Sequence, residues 1–159
     1  MDTRDAFAKG LLAGFAGKTT FEKVQRGKFA MVSSGYEADG VSYIDQWFPG
    51  HMGAGQEIVA VGDKHFTRVY AGGTVDDKEL APLGITKDDV MVFLKNSLQT
   101  LGAKTRFDEQ GSFEDGQWTY SYAVIDRDAT TGVVTGKEMI SYKGTPVFIH
   151  LFLISSVAA

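Results

Sequence analysis

Gly55-Gln56-Glu57-Ile58-Val59-Ala60-Val61 returns almost intact as Gly136-Lys137-Glu138-Met139-Ile140-Ser141-Tyr142. Neighbouring fragments echo at similar offsets. Ala16–Lys23 is matched by Gly102–Glu109, Gly27-Lys28-Phe29 by Gly111-Ser112-Phe113, and Asp39-Gly40 by Asp115-Gly116. The offset drifts where connections differ in length, which places the insertions in loops and keeps the strands. The pattern reads as an internal duplication in which each half is a helix followed by antiparallel strands.

Working outward, Gln56–Val61 and His65–Ala71 form the clearest hairpin, joined through Gly62-Asp63-Lys64, where glycine supplies the positive φ of a tight turn. A two-residue Gly62-Asp63 loop sets Glu57 opposite Arg68 and puts Glu57 on the same side as Val59, Val61 and Phe66. Such a pair is either a cross-strand ion pair or an acid held for catalysis. Before it, Phe29–Ser33 and Val41–Phe48 read as strands around a turn at Ser34–Gly40, and Pro49–Gly55 as a glycine-rich loop. In strand 117–126, Trp118, Tyr120, Tyr122 and Val124 alternate with small and polar residues, so one face is bulky. His150 sits in the apolar run Val147–Ile154, as a hydrogen-bonded histidine of a buried strand would.

Two helices complete the pattern. Phe7, Leu11 and Phe15, with Leu12 beside them, make an apolar stripe that Gly17 can end. Thr86–Leu101 opens with a capping-box pattern at Thr86 and Asp89, buries Val90, Phe93, Leu94, Leu98 and Leu101 on one side, and can close at Gly102. Each stripe needs an apolar surface, and a sheet is the one long enough to receive both. The expected fold is therefore α+β: a single domain, residues 1–159, of two pseudo-repeats at about 3–81 and 86–159, whose strands form one curved antiparallel sheet packed by two helices.

Composition bounds the chemistry. With a net charge of −4 and no Lys/Arg run, neither nucleic acid nor an anionic membrane is an expected partner. The absence of cysteine removes disulfides and thiolate chemistry. No apolar run is long enough to span a bilayer and no secretory leader pattern opens the sequence, so a cytoplasmic protein is expected. Gly14–Thr19 resembles a phosphate loop superficially, but Leu12 stands where its first glycine would be. His51, His65 and His150 lack metal-ligand spacing, and no nucleophile elbow is present, so no metal or cofactor is expected.

Tyr43-Ile44-Asp45-Gln46-Trp47-Phe48-Pro49-Gly50, then Gly55-Gln56-Glu57-Ile58-Val59, then Tyr70-Ala71-Gly72-Gly73, resembles an uncharacterised family of small bacterial domains. The family pattern is Y-x-D-x-(Y/F)-x-G followed by G-x-E-x-V, with a weaker second copy after a helix. The resemblance spans roughly residues 17 to 150 and implies recurring positions at Tyr43, Asp45, Gly55 and Glu57, and at Gly136 and Glu138. It implies no activity. Trp47 replaces the usual Tyr or Phe, and His51-Met52 lengthens the following loop.

Three functions fit. The first is a small-molecule-binding or sensing domain with a cleft at the pseudo-twofold between repeats, where the two G-x-E strands approach. Tyr43, Asp45, Trp47, Glu57, Arg68, Trp118, Tyr120, Tyr122 and Glu138 would line it and hold a small organic molecule, a cation included. The second is an enzyme using Glu57 and Glu138 as general acid and base. The third is a protein-interaction module without a pocket. A homodimer is compatible with each.

Overall fold

The Gly62-Asp63 turn has the expected register: Val61 faces Lys64 and Glu57 faces Arg68. The computed structural model that contains it describes residues 3–17, 20–102 and 110–157. Helix α1 is Thr3–Ala13. Strands β1 (Glu22–Arg26), β2 (Phe29–Ala38), β3 (Val41–Trp47), β4 (Met52–Val61) and β5 (Lys64–Thr74) follow. A short helix α2 (Asp77–Leu80) and a 3-10 turn (Ala81–Leu83) lead to α3 (Lys87–Leu101), and then come β6 (Gln110–Asp115), β7 (Trp118–Arg127), β8 (Val134–Tyr142) and β9 (Thr145–Val157).

The strands form one antiparallel sheet in the order β1-β2-β3-β4-β5-β9-β8-β7-β6. The order runs outward from a central β5–β9 pair as two meanders, each sequential in the chain, so the fold is α+β with one sheet. The two G-x-E strands, β4 and β8, are not neighbours, because β5 and β9 lie between them. Part of the Ala16–Lys23 and Gly102–Glu109 echo lies outside the described residues.

Two segments read as loops are largely strand. β2 continues through Ser34–Ala38, and Asp39 and Gly40 alone make the turn, with φ of 54° and 74°. Two consecutive positive φ values match the twist of adjacent antiparallel strands, so a hairpin closes there without a longer connection. β4 begins at Met52, leaving Phe48–His51 to turn the chain, because Gly53 and Gly55 lie inside the strand. Gly55 and Gly136 are there for packing. A Cβ on Gly55 would overlap the Tyr70 hydroxyl, and one on Gly136 would overlap the Phe152 ring, each ring coming from the facing residue of the next strand.

Cross-strand partners share a face. Through the register, Tyr43, Glu57, Arg68, Tyr70, His150, Glu138 and Tyr122 all project to one side. Both long helices cover that side. Phe7 and Ala6 of α1 pack on Val41, Tyr43 and Val59, while Phe93, Leu94 and Leu98 of α3 pack on Tyr120, Ile140 and Phe148. Thr86 caps α3 as the sequence indicates: its hydroxyl accepts from the Asp89 amide, and the Asp89 carboxylate accepts from the Thr86 amide at 2.8 Å. The opposite sheet face leaves Ile58, Val69, Leu151 and Leu153 more than a third exposed. No helix among the described residues is long and apolar enough to cross a membrane.

Candidate functional site

Each G-x-E glutamate is the centre of a buried cluster on the helix-covered face. In the first, Glu57 and Arg68 are 0% and 1% exposed and form a two-pronged ion pair, with Nε bonding Oε2 and Nη2 bonding Oε1 at 2.5 Å. Tyr43 adds a hydroxyl donor to Glu57 Oε1 at 2.7 Å. Burial, then the Glu57 and Asp45 carboxylates, push the Tyr43 hydroxyl well above its ordinary pKa despite the opposing Arg68 charge, so it remains a donor. The Phe7 ring covers the guanidinium at 5.1 Å and closes the cluster from α1.

The second cluster has the same layout and different chemistry. Tyr120 donates to Glu138 Oε2 at 2.7 Å, as Tyr43 does to Glu57. Glu138 faces His150 across β8 and β9, where Glu57 faces Arg68 across β4 and β5. His150 Nδ1 lies 2.9 Å from Glu138 Oε1. A carboxylate accepts, so Nδ1 carries the proton. Glu138 is 1% exposed, whereas the His150 side chain keeps 13% of its surface.

That surface belongs to a cavity of about 330 Å³ between the helices and the sheet, over β3, β5 and the start of β9. Its walls are mainly apolar. Leu11 and Phe15 close it from the α1 side, Met91 and Leu94 from α3, and Trp47, Phe48 and Phe148 from the sheet and its loop. Polar groups gather on the sheet: Asp45 is 3% exposed and accepts the Tyr70 hydroxyl at 2.9 Å, and the Tyr70 ring lies 5.1 Å from His150. His51 closes the end of β5, its Nδ1 donating to the Val75 carbonyl at 2.9 Å and its backbone carbonyl accepting from the Thr74 amide at 2.8 Å. Lys87, Asp88 and Lys95 line the α3 side, and the Lys95 ammonium lies over the Phe15 and Phe21 rings at 5.2 and 5.1 Å.

Of the residues expected from sequence to line a site, Asp45 and Trp47 lie in this wall. Tyr43, Glu57, Arg68, Tyr120, Tyr122 and Glu138 are on the same sheet face but at most 3% exposed, packed beneath the helices. Trp118 does not line the cavity; it stacks on Phe93 at 5.2 Å, with Tyr142 at 4.5 Å. The two glutamates are not brought together; each bonds within its own half. Tyr70, His51, His150 and Lys95 also line the cavity, although the sequence does not point to them as site residues. The repeat carries no signal for His150: extending the Gly55/Gly136 correspondence by one hairpin sets Ile149 where Arg68 stands, and the irregularity between Ile140 and Ser141 shifts the register so that His150 faces Glu138. No cluster of metal-ligating side chains occurs among the described residues.

Residues 45–154 match the family described as a domain of unknown function (DUF5680), and the chain belongs to that family. The matched segment takes in the Glu57–Arg68 pair, the second cluster of Tyr120, Glu138 and His150, and most of the sheet side of the cavity, while Tyr43 and Phe7 precede it. No curated protein and no solved structure matches the chain.

Proposed function

We propose that this member of an uncharacterised family binds a small organic molecule in the cavity between its helices and sheet. The observation that carries the reading is the convergence of Asp45, Tyr70 and His150 at one end of a largely apolar, aromatic-walled space of about 330 Å³. Small-ligand sites have this composition: apolar walls supply burial and a few polar groups fix orientation. The ligand is a mainly apolar molecule with a hydrogen-bonding head. Lys87 and Lys95 in the wall offset Asp45 and Asp88, and Lys95 already occupies the Phe15 and Phe21 faces, so a neutral ligand is favoured over a cation. The cavity is preferred to the exposed sheet face as the seat of function because it is concave and gathers polar groups.

Trp47 reports occupancy directly. A thermal-shift screen of neutral aromatic and aliphatic compounds, followed by fluorescence titration of a Trp118→Phe variant, should give hits that both stabilise the fold and change Trp47 emission. Binding at 100 times Kd adds about 2.7 kcal/mol. For a chain of this size that is a rise in Tm of roughly 5–11 °C. Met91→Trp, which fills the space from α3, should abolish both effects. Hits that stabilise the protein equally with the cavity filled would refute the reading.

A further inference from the structure

The two glutamate clusters share a geometry and differ at one position. Arg68 is a fixed charge sealed under Phe7, whereas His150 opens onto the cavity. Glu138 engages Nδ1 of His150 with one oxygen and the Tyr120 hydroxyl with the other, which holds the imidazole ring and selects its tautomer. The ring is braced by Phe148 at 4.4 Å and Tyr70 at 5.1 Å. Among the described residues, Nε2 of His150 has no hydrogen-bond partner. A neutral imidazole protonated at Nδ1 presents its lone pair at Nε2. A buried carboxylate behind it stabilises the imidazolium formed when that lone pair takes a proton.

We propose that the cavity is a catalytic site in which His150 is the general base, and that its substrates are neutral, mainly apolar compounds with a hydrogen next to a carbonyl or comparable electron-withdrawing group. Nε2 takes that proton, the C–H electron pair moves onto the electron-withdrawing group as an enolate, and the imidazolium returns the proton to another carbon of the same molecule. The product is an isomer, so no oxidant, reductant or second substrate is consumed. Glu138 is a positioning residue and acts through His150. The proposal rests on the ligand-binding reading of the cavity.

A suitable probe is 5-nitrobenzisoxazole, a neutral planar aromatic. Removal of its C3 proton by a base forms the nitrile as the N–O bond breaks and releases a coloured phenolate. With the Trp118→Phe protein, the probe should quench Trp47 and be turned over well above the rate of equimolar free imidazole. His150→Gln should retain quenching and melting temperature and lose about 100-fold in turnover. His150→Ala should regain turnover when imidazole is added, which a purely structural histidine would not show. Glu138→Gln should change the pH profile of turnover and leave quenching in place. Quenching together with full turnover in His150→Gln would overturn the assignment of the base and leave the binding reading standing. Absence of quenching up to the probe's solubility limit would overturn both.

Discussion

Replacing Glu57 by Gln separates the two glutamate clusters energetically. The substitution keeps shape and removes the charge that compensates Arg68, whose side chain is 1% exposed and, among the described residues, hydrogen-bonds to Glu57 alone. Breaking one side of a buried ion pair costs about 3–5 kcal/mol, because the remaining charge is left in a low-dielectric interior. A chain of this size loses roughly 2–4 °C of Tm per kcal/mol, so Glu57→Gln should melt roughly 6–20 °C lower. The equivalent Glu138→Gln leaves a histidine that can remain neutral, and the change is one weakened hydrogen bond, about 1–2 kcal/mol. Calorimetric melts of the two variants in one buffer make the comparison. A double replacement, Glu57→Leu with Arg68→Met, should recover most of the loss, since apolar residues of similar volume can replace a buried pair. Equal losses in Glu57→Gln and Glu138→Gln, or a Glu57→Gln loss below about 1 kcal/mol, would refute the reasoning.

Arg68→Ala should destabilise far more than Lys64→Ala, since Lys64 is exposed and surface charges contribute at most about 1 kcal/mol; paired thermal melts check it. Gly73→Ala should prevent folding or cost several kcal/mol, because at φ 149° its Cβ would overlap the His51 carbonyl. Gly62→Ala meets no atom within 4 Å and should carry only the cost of its φ of 55°, so circular dichroism melts should rank the two clearly. Thr86→Ala should remove about 1 kcal/mol through loss of the α3 cap, read as a small fall in Tm. The cap also predicts a pH effect. Hydrogen bonds from Thr86 lower the Asp89 carboxyl below its ordinary 3.8, as Lys9 does for Asp39 and Thr131 for Asp128. Each contributes stability that is complete above about pH 4 and is lost as pH falls through the folded-state value. Melts between about pH 5 and 2 should therefore decline less steeply for Asp89→Asn than for the parent protein, and identical slopes would count against the cap.

Legibility from sequence followed the range of the interaction. The Gly62-Asp63 turn and the Thr86–Asp89 box are set by residues two or three apart, so register and cap could be read directly. The Ser34–Gly40 and Pro49–Gly55 stretches were harder, because glycine inside a strand looks the same in sequence whether it turns the chain or admits a ring from the next strand. Gly55 does the second, and only Tyr70 reveals it. Placing the site required the strand order. Alternation shows that Tyr43, Glu57 and Tyr120 share a face with their neighbours, but not that helices seal them while Tyr70 and His150 border open space. His150 read as a core residue because its strand neighbours are apolar. What opens one side of it is the gap between α1 and α3, a feature of tertiary packing.

The central β5–β9 ladder, from His65 facing Val157 to Thr74 facing Phe148, has a further consequence for how the chain assembles. Among the described residues, every other strand pairing joins strands consecutive in sequence. Each meander can zip through short loops, and only the joining of β5 to β9 must bring together residues some seventy positions apart or more. A break at the exposed Gly84, between the halves, would leave all the consecutive hairpins intact. Fragments 1–84 and 85–159, expressed separately and mixed, should therefore reconstitute the sheet at their shared edge. Protection of the β5 and β9 amides would then depend on the concentration of the partner fragment, while the amides of β3 and β7 would be less sensitive to it.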